Sequence, residues 1–241
     1  MSYSRFIFAS DLHGDMMDQE ANKALFKFID IWKPDVRIFG GDLWDFRPLR
    51  KKACEEERRE SMTKDFNAGM NWLKRFKPHH FLRGNHDERL WDLAQEDRGV
   101  ISDFARTGVK EIEDNLSSLH CHMLPYDKRK GVLRIGSLKA VHGFYSGTTA
   151  ARRTALIYGS VLMGHGHGIS HAPIEGIDRR MGRMCGCLCK LDMGYNRALV
   201  GSLVHAHGFA YGVIGPRGEY HVWQAEEING VWYLPTDFVQ L

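Results

Sequence analysis

Five short apolar segments of this chain end in loops that carry aspartate, asparagine or histidine. The residues in these loops are Asp11 and His13, Asp42, Asn85 and His86, His142, and His165 and His167. In open α/β sheets, ligands gather beyond the carboxyl ends of the strands. This pattern therefore predicts an α/β fold with one polar site that is built from five strand ends.

The beginning of the chain predicts a β-α-β unit. Residues 5–10 form a short apolar run, and residues 18–32 carry apolar side chains at helical spacing before Pro34 ends the helix. Residues 36–39 form a second apolar run. We expect these two strands to be parallel, with a right-handed crossover between them. Residues 80–83 repeat the pattern as a third strand.

Shorter β-like runs follow a mostly helical or irregular stretch that extends to about residue 116. They cover residues 119–124, 132–135, 138–142 and 160–163. After residue 170, alternating apolar positions predict further strands within residues 174–177, 184–189, 204–214 and 220–223. We expect these last strands to be antiparallel and to pack as a second sheet.

Length and hydrophobic content bound the number of domains. The chain has 241 residues and is 43% hydrophobic, which is enough for one substantial core. We expect a single domain over residues 1–241. Within it, the charged stretch at about residues 47–76 has apolar side chains near helical spacing from Met62 to Leu73. This stretch predicts a helical insertion with a solvated face.

Charge and cysteine content limit the partners and the compartment. The chain has 33 Lys plus Arg and 30 Asp plus Glu, for a formal net charge of +3. This charge is too small to require nucleic acid as a partner, but it permits an anionic substrate. The chain lacks the apolar runs of a signal peptide or a membrane span, and its five cysteines do not resemble a secreted disulfide framework. We therefore expect a cytoplasmic protein with reduced thiols.

Histidine is the unusual component of the composition. Thirteen are present, and several lie beside glycine, as between Gly164 and Gly168. A neutral imidazole offers a nitrogen to a metal ion, and glycine permits sharp turns that bring several rings together. Asp11 and His13 would point to the same face if the chain stays extended there. Taken singly, each of these residues is better explained as a core, surface or turn residue; the joint pattern is what favours a metal site.

The loops read, in order, Asp-x-His, Gly-Asp, Gly-Asn-His-Asp, His and Gly-His-x-His, from Asp11 to His167. The chain thereby resembles the calcineurin-like metallophosphoesterases, whose motifs occur in the same order. The resemblance implies a four-layer α/β/β/α sandwich in which two mixed sheets are flanked by helices. Gly166 stands where the family often has threonine, which removes a hydroxyl group but no ligand.

The resemblance also implies two divalent metal ions. The implied ligands are Asp11, His13 and His167 for one ion, Asn85, His142 and His165 for the other, and Asp42 for both. Such ions lie about 3.5–4 Å apart, polarise the phosphoryl oxygens and lower the pKa of a bridging water. The bridging hydroxide would be the nucleophile of a phosphoester hydrolase.

Three further residues receive roles from the resemblance. His86 binds no metal in this scheme and would protonate the leaving-group oxygen. Asp87 would orient the His86 ring and favour its protonated form. Arg83 would contact a phosphate oxygen, as in the protein-phosphatase branch, although an arginine at a strand end is also typical of a surface salt bridge.

The donor atoms also bear on the choice of metal. Nitrogen and oxygen ligands favour Mn²⁺, Fe, Zn²⁺ or Ni²⁺, and the imidazoles argue against Ca²⁺ and Mg²⁺. Manganese is our first expectation. Cys185, Cys187 and Cys189 would point to one face of a strand without the C-x-x-C geometry of a zinc site, so we expect buried small residues there. His205 and His207 match no family ligand, and we expect them to be structural.

Three functions remain open at this point. A phosphodiesterase or nuclease is favoured by His86 and by a basic run that could follow a phosphate backbone, namely Arg47, Arg50, Lys51 and Lys52. A phosphomonoesterase is favoured by the Arg-Gly-Asn-His loop that begins at Arg83. A non-catalytic metal-binding scaffold is the third hypothesis, although every ligand position and His86 are intact.

Overall fold

Two β-sheets and the helices on their outer faces make up the part of the chain that the computed structural model describes, residues 3–51, 53–192 and 200–234. The strands are β1 (Ser4–Ala9), β2 (Val36–Phe39), β3 (His80–Leu82), β4 (His122–Leu124), β5 (Leu133–Ile135), β6 (Leu138–Val141), β7 (Val161–Met163), β8 (Ile169–Ile174), β9 (Arg180–Cys185), β10 (Gly208–Ile214), β11 (Tyr220–Ile228) and β12 (Val231–Tyr233). The helices are α1 (Gln19–Trp32), α2 (Glu55–Arg58), α3 (Met62–Phe76), α4 (Glu88–Gln95), α5 (Val100–Ser118) and α6 (Ala150–Tyr158).

The first sheet contains the predicted β-α-β unit. Its strand order is β12-β11-β10-β1-β2-β3-β4, with β1 to β4 parallel to one another. The helix α1 begins after Asp18, whose carboxylate accepts a hydrogen bond from the Ala21 amide at 2.8 Å, as N-cap residues commonly do. The helix ends at Lys33, which adopts a left-handed conformation directly before Pro34. The prediction of two parallel strands joined by this helix is confirmed.

The second sheet has the order β5-β6-β7-β9-β8, in which β6, β7 and β9 are parallel and the edge strands are antiparallel. The prediction that the strands after residue 170 form a sheet of their own is wrong. β10 pairs antiparallel with β1, with Gly212 opposite Phe6, and β10 to β12 therefore extend the first sheet. Alternating apolar residues identify a strand and its buried face, but they do not identify the strand beside it.

The two sheets pack face to face and each carries helices on its outer face. Along β1, Phe6 and Phe8 contact the second sheet, whereas Ile7 and Ala9 contact the helical layer, because successive side chains of a strand point to opposite faces. On the far side, α6 packs against the second sheet. The fold is thus the expected four-layer α/β/β/α sandwich with two mixed sheets.

The segment 47–76 divides into two parts. Its second part, α3, connects β2 to β3 and buries Trp72, Leu73 and Phe76 in the core of the helical layer. α3 is therefore the crossover helix of a second β-α-β unit, and only the residues before it are left as a candidate insertion. Lys52 lies outside the described residues. The single-domain organisation stays a prediction.

The cysteine trio does not lie on one strand face as expected. β9 ends at Cys185, which packs between the two sheets. The next residue, Gly186, has φ of 82°, and the chain turns there. Cys187 and Cys189 are buried in a separate small cluster with Met16 and Leu191. All three thiols are buried, as expected.

None of the helices in the described ranges combines the length and the apolar character that a membrane span requires.

Candidate metal centre

Three side chains from the ends of β1 and β7 form what we call the inner group, Asp11, His13 and His167. Nε2 of His13 lies 3.1 Å from Nε2 of His167, and the same nitrogen of His167 lies 3.4 Å from Oδ1 of Asp11. All three residues are buried. Two imidazole nitrogens and a carboxylate oxygen therefore converge on one small volume.

Three side chains from the ends of β3, β6 and β7 form what we call the outer group, Asn85, His142 and His165. Oδ1 of Asn85 lies 3.1 Å from Nε2 of His142 and 2.7 Å from Nδ1 of His165. His142 is buried, whereas Asn85 and His165 are partly exposed. The outer group is therefore the one that solvent and ligands can reach.

Asp42 lies between the two groups. Its Oδ2 is 3.2 Å from Nε2 of His142, and its carboxylate belongs both to a cluster with Asp11 and His13 and to a cluster with His142 and His165. In each cluster, the possible ligand atoms lie within 4.8 Å of one another. One carboxylate thus faces both groups, and its sharing by two ions stays a prediction.

The backbone at these positions is left-handed rather than extended. φ is 57° at Asp11, 55° at His13, 55° at Asp42, 65° at His165 and 56° at His167. The prediction that Asp11 and His13 share a face of an extended chain is therefore wrong in its mechanism, although the two side chains do converge. Non-glycine residues with positive φ are uncommon and collect at functional sites.

Hydrogen bonds from neighbouring loops hold this backbone in place. The amide of Asp11 donates to the carbonyl of Gly41 at 2.9 Å, and the amide of His13 donates to the carbonyl of Asp42 at 3.1 Å. The amide of His165 donates to the Asp11 carboxylate at 2.9 Å. The loops after β1, β2 and β7 thereby fix one another.

Each group also has supporting contacts behind its rings. Nδ1 of His142 lies 2.8 Å from the carbonyl oxygen of Gly40. Because a carbonyl oxygen can only accept, Nδ1 is the donor in this hydrogen bond. Nε2 of His142 is therefore the nitrogen that faces Asn85 and Asp42. Nδ1 of His167 instead lies 3.7 Å from Sγ of Cys189. No motif in the sequence indicates a thiol behind this ring.

The ionisation of the two outer histidines differs. Burial disfavours a charged His142, but the carboxylates of Asp42 and Asp11 outweigh burial and raise its pKa to about 9. Burial and the charge on His142 lower the pKa of His165 to about 4. In the inner group, burial likewise opposes charge, yet the Asp11 carboxylate raises the pKa of His167 well above its ordinary value. A metal ion would therefore have to displace a proton from His142 and from His167, but not from His165.

The His86 ring is oriented by Asp45. Nδ1 of His86 lies 2.6 Å from Oδ1 of Asp45, and Nε2 lies 3.9 Å from Oδ2 of Asp42. Burial opposes a charged Asp45, but its contacts with His13 and His86 hold the pKa of this carboxyl well below its usual range. Burial lowers the pKa of His86, and the carboxylates of Asp42 and Asp45 act in the opposite direction.

The prediction that Asp87 orients the His86 ring is wrong. The Asp87 carboxylate accepts hydrogen bonds of 2.8–3.0 Å from four backbone amides, those of Asp42, Leu43, Trp44 and Gly84. Asp87 lies at the start of α4 and is buried, with its carboxylate directed at the loop after β2. It therefore holds the loops that carry Asp42 and Asn85, and it does not touch the ring.

Arg83 is mostly buried and is held by two neighbours. Its Nε lies 3.2 Å from Oε2 of Glu88, and its guanidinium lies 4.6 Å from the centre of the Trp91 ring. This arrangement matches the salt-bridge alternative. Contact with a phosphate stays a prediction.

Sequence reasoning missed three residues that touch the site: Asp45, Arg89 and Cys189. Asp45 is three residues beyond Asp42 in the same loop, and that short spacing was a usable signal. Nη1 of Arg89 donates to the Asp45 carbonyl oxygen at 2.6 Å. His207, expected to be structural, contacts the Cys189 carbonyl oxygen through Nε2 at 3.0 Å.

The donor set fits two divalent metal ions. Each group offers imidazole nitrogens together with carboxylate or amide oxygens, which suits first-row transition metals. Nδ1 of His13 is buried without a hydrogen-bond partner, at 3.6 Å from Asp45. Two imidazole nitrogens 3.1 Å apart in a buried site also need a cation or a proton between them. The residues present are therefore compatible with metal binding.

Several solved structures are similar to this chain. A metallophosphoesterase from Sphaerobacter thermophilus is 15% identical, with a TM-score of 0.47 over 94% of this chain and 89% of that chain. Vps29 from Entamoeba histolytica, in a single-mutant form, is 11% identical, with a TM-score of 0.49 over 95% of this chain and 96% of that chain. An archaeal phosphodiesterase is 14% identical, with a TM-score of 0.43 over 91% of this chain and 99% of that chain.

No curated protein matches the sequence. The family model described as calcineurin-like phosphoesterase matches residues 4–229, which is nearly the whole chain. The chain therefore belongs to the calcineurin-like phosphoesterases.

Proposed function

We propose that this protein is a phosphoester hydrolase that depends on two divalent metal ions and favours phosphodiesters. The observation that carries the proposal is the position of Asp42 between the inner and outer groups. Membership of the phosphoesterase family supports the reaction class. The proposed ligands are Asp11, His13 and His167 for the inner ion, Asn85, His142 and His165 for the outer ion, and Asp42 for both.

Metal ions bound at these groups would polarise the phosphoryl oxygens and lower the pKa of a water between them, which makes that water the nucleophile. Manganese is the first choice for both positions, because the donors are nitrogen and oxygen. The protein supplies an enclosed site for this chemistry, in which burial strengthens electrostatic interactions.

His86 is the proposed proton donor to the leaving group. Its Nδ1 donates to Asp45, because a carboxylate with a strongly lowered pKa can only accept. Its Nε2 is then the nitrogen that faces the site beside Asp42. When the ring is protonated, Nε2 can donate a proton to a departing oxygen, and the Asp45 carboxylate stabilises the charged ring.

The test compares two chromogenic substrates with metal-stripped protein that has been reloaded with Mn²⁺. We expect faster hydrolysis of bis-p-nitrophenyl phosphate than of p-nitrophenyl phosphate. His86→Ala should retain both ions and lose on the order of a hundredfold in rate, with larger losses for poorer leaving groups. His221→Ala, which removes an exposed histidine on β11 away from both groups, is the matched control. A rate for His86→Ala that equals the wild-type rate with every leaving group would contradict the proposed role.

A phosphomonoesterase is the alternative that the same experiment tests. The loop that begins at Arg83 favours the phosphomonoesterase. However, the guanidinium of Arg83 already contacts Glu88 and Trp91. Preference for the monoester would favour this alternative. Hydrolysis of neither substrate would favour the scaffold hypothesis.

A further inference from the structure

A cleft of about 810 Å³ opens beside the outer group. One of its lining residues is Asn85, a proposed ligand of the outer ion. Part of its lining comes from the segment before α3, and the rest comes from Asn85, α4 and the residues up to the start of α5. The volume lies in the range of about 300–1,000 Å³ that is typical of small-molecule sites. A substrate bound at the outer group would therefore have room to extend into this cleft.

The lining of the cleft is basic. Its basic residues are Arg50, Lys51, Arg58, Arg89 and Arg98, and its acidic residues are Asp92 and Glu96. Two further carboxylates pair with this set, Glu57 with Arg50 and Asp45 with Arg89. A small positive surplus is therefore left beside the site, where it attracts an anionic substrate.

The basic wall is fixed to the metal centre by Arg47. This side chain is nearly buried and forms ion pairs with Asp15 at 2.7 Å, with Asp45 at 3.3 Å and with Glu60. Arg47 is therefore committed to protein contacts, and the expectation that it follows a phosphate backbone is wrong. Arg50 and Lys51, the next basic residues along the same segment, line the cleft, and Arg50 also pairs with Glu57.

Arg89 connects the cleft to the proposed proton donor. Both of its contacts with Asp45 are made by Nη1, and Asp45 in turn holds His86. Because a guanidinium carries five N–H donors in a planar fork, one end of Arg89 can hold Asp45 while the other faces the cleft. The cleft therefore begins on the side of the site where the leaving group departs.

The remaining lining residues of the cleft are mostly apolar but not aromatic. Pro48, Leu49, Leu93 and Ile101 provide apolar surface between the charges. None of the described residues that line the cleft is aromatic, whereas proteins that bind single strands by stacking use aromatic rings. The cleft thus offers charge for phosphate and apolar contact for an organic group.

We propose that this cleft is a subsite for a second phosphate group of the substrate, held while the scissile phosphate lies at the outer group. This inference rests on the proposed hydrolase function and specifies its substrate class as organic molecules that carry at least two phosphates. Such phosphates occur in small nucleotides and at the ends of oligonucleotides, and both present the same chemistry to the arginines.

The test uses two esters that differ only in the second phosphate: the p-nitrophenyl ester of thymidine 5′-phosphate and the same ester with an added 3′-phosphate. We expect the Mn²⁺-loaded full chain to have a kcat/KM about tenfold higher for the ester with two phosphates. The double variant Lys51→Ala/Arg98→Ala should abolish this preference. The charge-matched control Lys23→Ala/Lys110→Ala removes two exposed lysines outside the cleft and should retain it.

Calorimetric binding of adenosine 3′,5′-bisphosphate and of a short oligodeoxythymidylate gives a second measurement that does not depend on turnover. Binding that weakens about tenfold in the cleft variant and not in the control supports the subsite. Which of the two probes binds more tightly distinguishes a nucleotide from an oligonucleotide. Equal weakening in both variants, or a wild-type protein that hydrolyses both esters with the same kcat/KM, would overturn the proposal. If binding depends on the cleft but no ester is hydrolysed, the subsite stands and the proposed function fails.

Discussion

The inner and outer groups contain similar donors but differ in their surroundings. The inner group is wholly buried, and a side chain lies behind each histidine ring: Asp45 behind His13 and Cys189 behind His167. In the outer group, Asn85 and His165 are partly exposed, and a backbone carbonyl lies behind His142. An ion in the inner group would thus be enclosed by protein, whereas an ion in the outer group would face the cleft and the substrate. The two positions are therefore expected to differ in metal exchange and in sensitivity to mutation.

The largest expected effect comes from the carboxylate that both groups share. Asp42→Ala should remove both ions and at least about a thousandfold of the activity, because it removes a ligand from each group and leaves buried imidazoles without their carboxylate. Metal content by mass spectrometry and hydrolysis of bis-p-nitrophenyl phosphate measure both effects. His165→Ala is the comparison, since it should lose only the outer ion. Loss of one ion in both variants would contradict the sharing of Asp42.

The next effect separates the roles of Asp45 and Asp87, two carboxylates that lie close to motif residues. Asp45→Asn should slow hydrolysis on the order of a hundredfold, because the His86 ring loses its negative partner, and it should also weaken the inner ion, because His13 loses the carboxylate behind its ring. Asp87→Asn should act on stability instead, because Asp87 accepts four backbone hydrogen bonds. Steady-state rates with leaving groups of different pKa, together with thermal unfolding, distinguish these effects. Equal loss of rate and stability in both variants would remove the distinction.

The next prediction concerns the pH dependence of metal binding at the outer group. With His167→Ala, which leaves the outer group intact, Mn²⁺ affinity should rise about tenfold per pH unit between about pH 6 and pH 8, because one proton must leave His142. The sign follows from the raised pKa of about 9: below this value the ring is protonated, and the proton competes with the metal. His165 adds no further proton, since its pKa is lowered to about 4. Titration calorimetry in two buffers counts the released protons, and a count of two would contradict this assignment.

The smallest effect tests the thiol behind the inner group. Cys189→Ala should weaken Mn²⁺ binding at the inner group about tenfold, because the His167 ring loses the contact behind Nδ1. The outer group should be unaffected, because His142 is held by a carbonyl. Cys185→Ala, which removes a buried thiol between the sheets, is the matched control for packing. Equal changes in both variants would show that the contact with His167 has no specific effect.

The parts of the fold that depend on local pattern could be predicted from the sequence. The bounds of α1 and β2 followed from apolar spacing and from Pro34, and the positions of the polar residues at strand ends indicated one common site. The assignment of β10 to the first sheet could not be predicted, because it depends on pairing with a strand that lies about two hundred residues earlier in the chain.

The contacts around His86 show which part of the site could not be predicted from the sequence. Asp45 and Asp87 are both near a motif residue in sequence, but only the path of the chain decides which carboxylate reaches the ring. The turn at Asp42 directs Asp45 toward His86, and the start of α4 directs Asp87 inward. Cys189 reaches His167 for a similar reason, since Gly186 turns the chain away from β9.

The left-handed backbone at Asp11, His13, Asp42, His165 and His167 has a consequence for how this protein tolerates change. Glycine adopts that conformation without strain, so replacing one of these residues by glycine relieves about 1 kcal/mol of backbone strain while it deletes a metal ligand. At these positions, selection for a more stable fold and selection for a working enzyme favour different residues. Asp11 and Asp42 also accept backbone hydrogen bonds whose loss would outweigh this gain. A library that is screened for thermal stability alone should therefore accumulate glycine first at the partly exposed His165, and lose catalysis there.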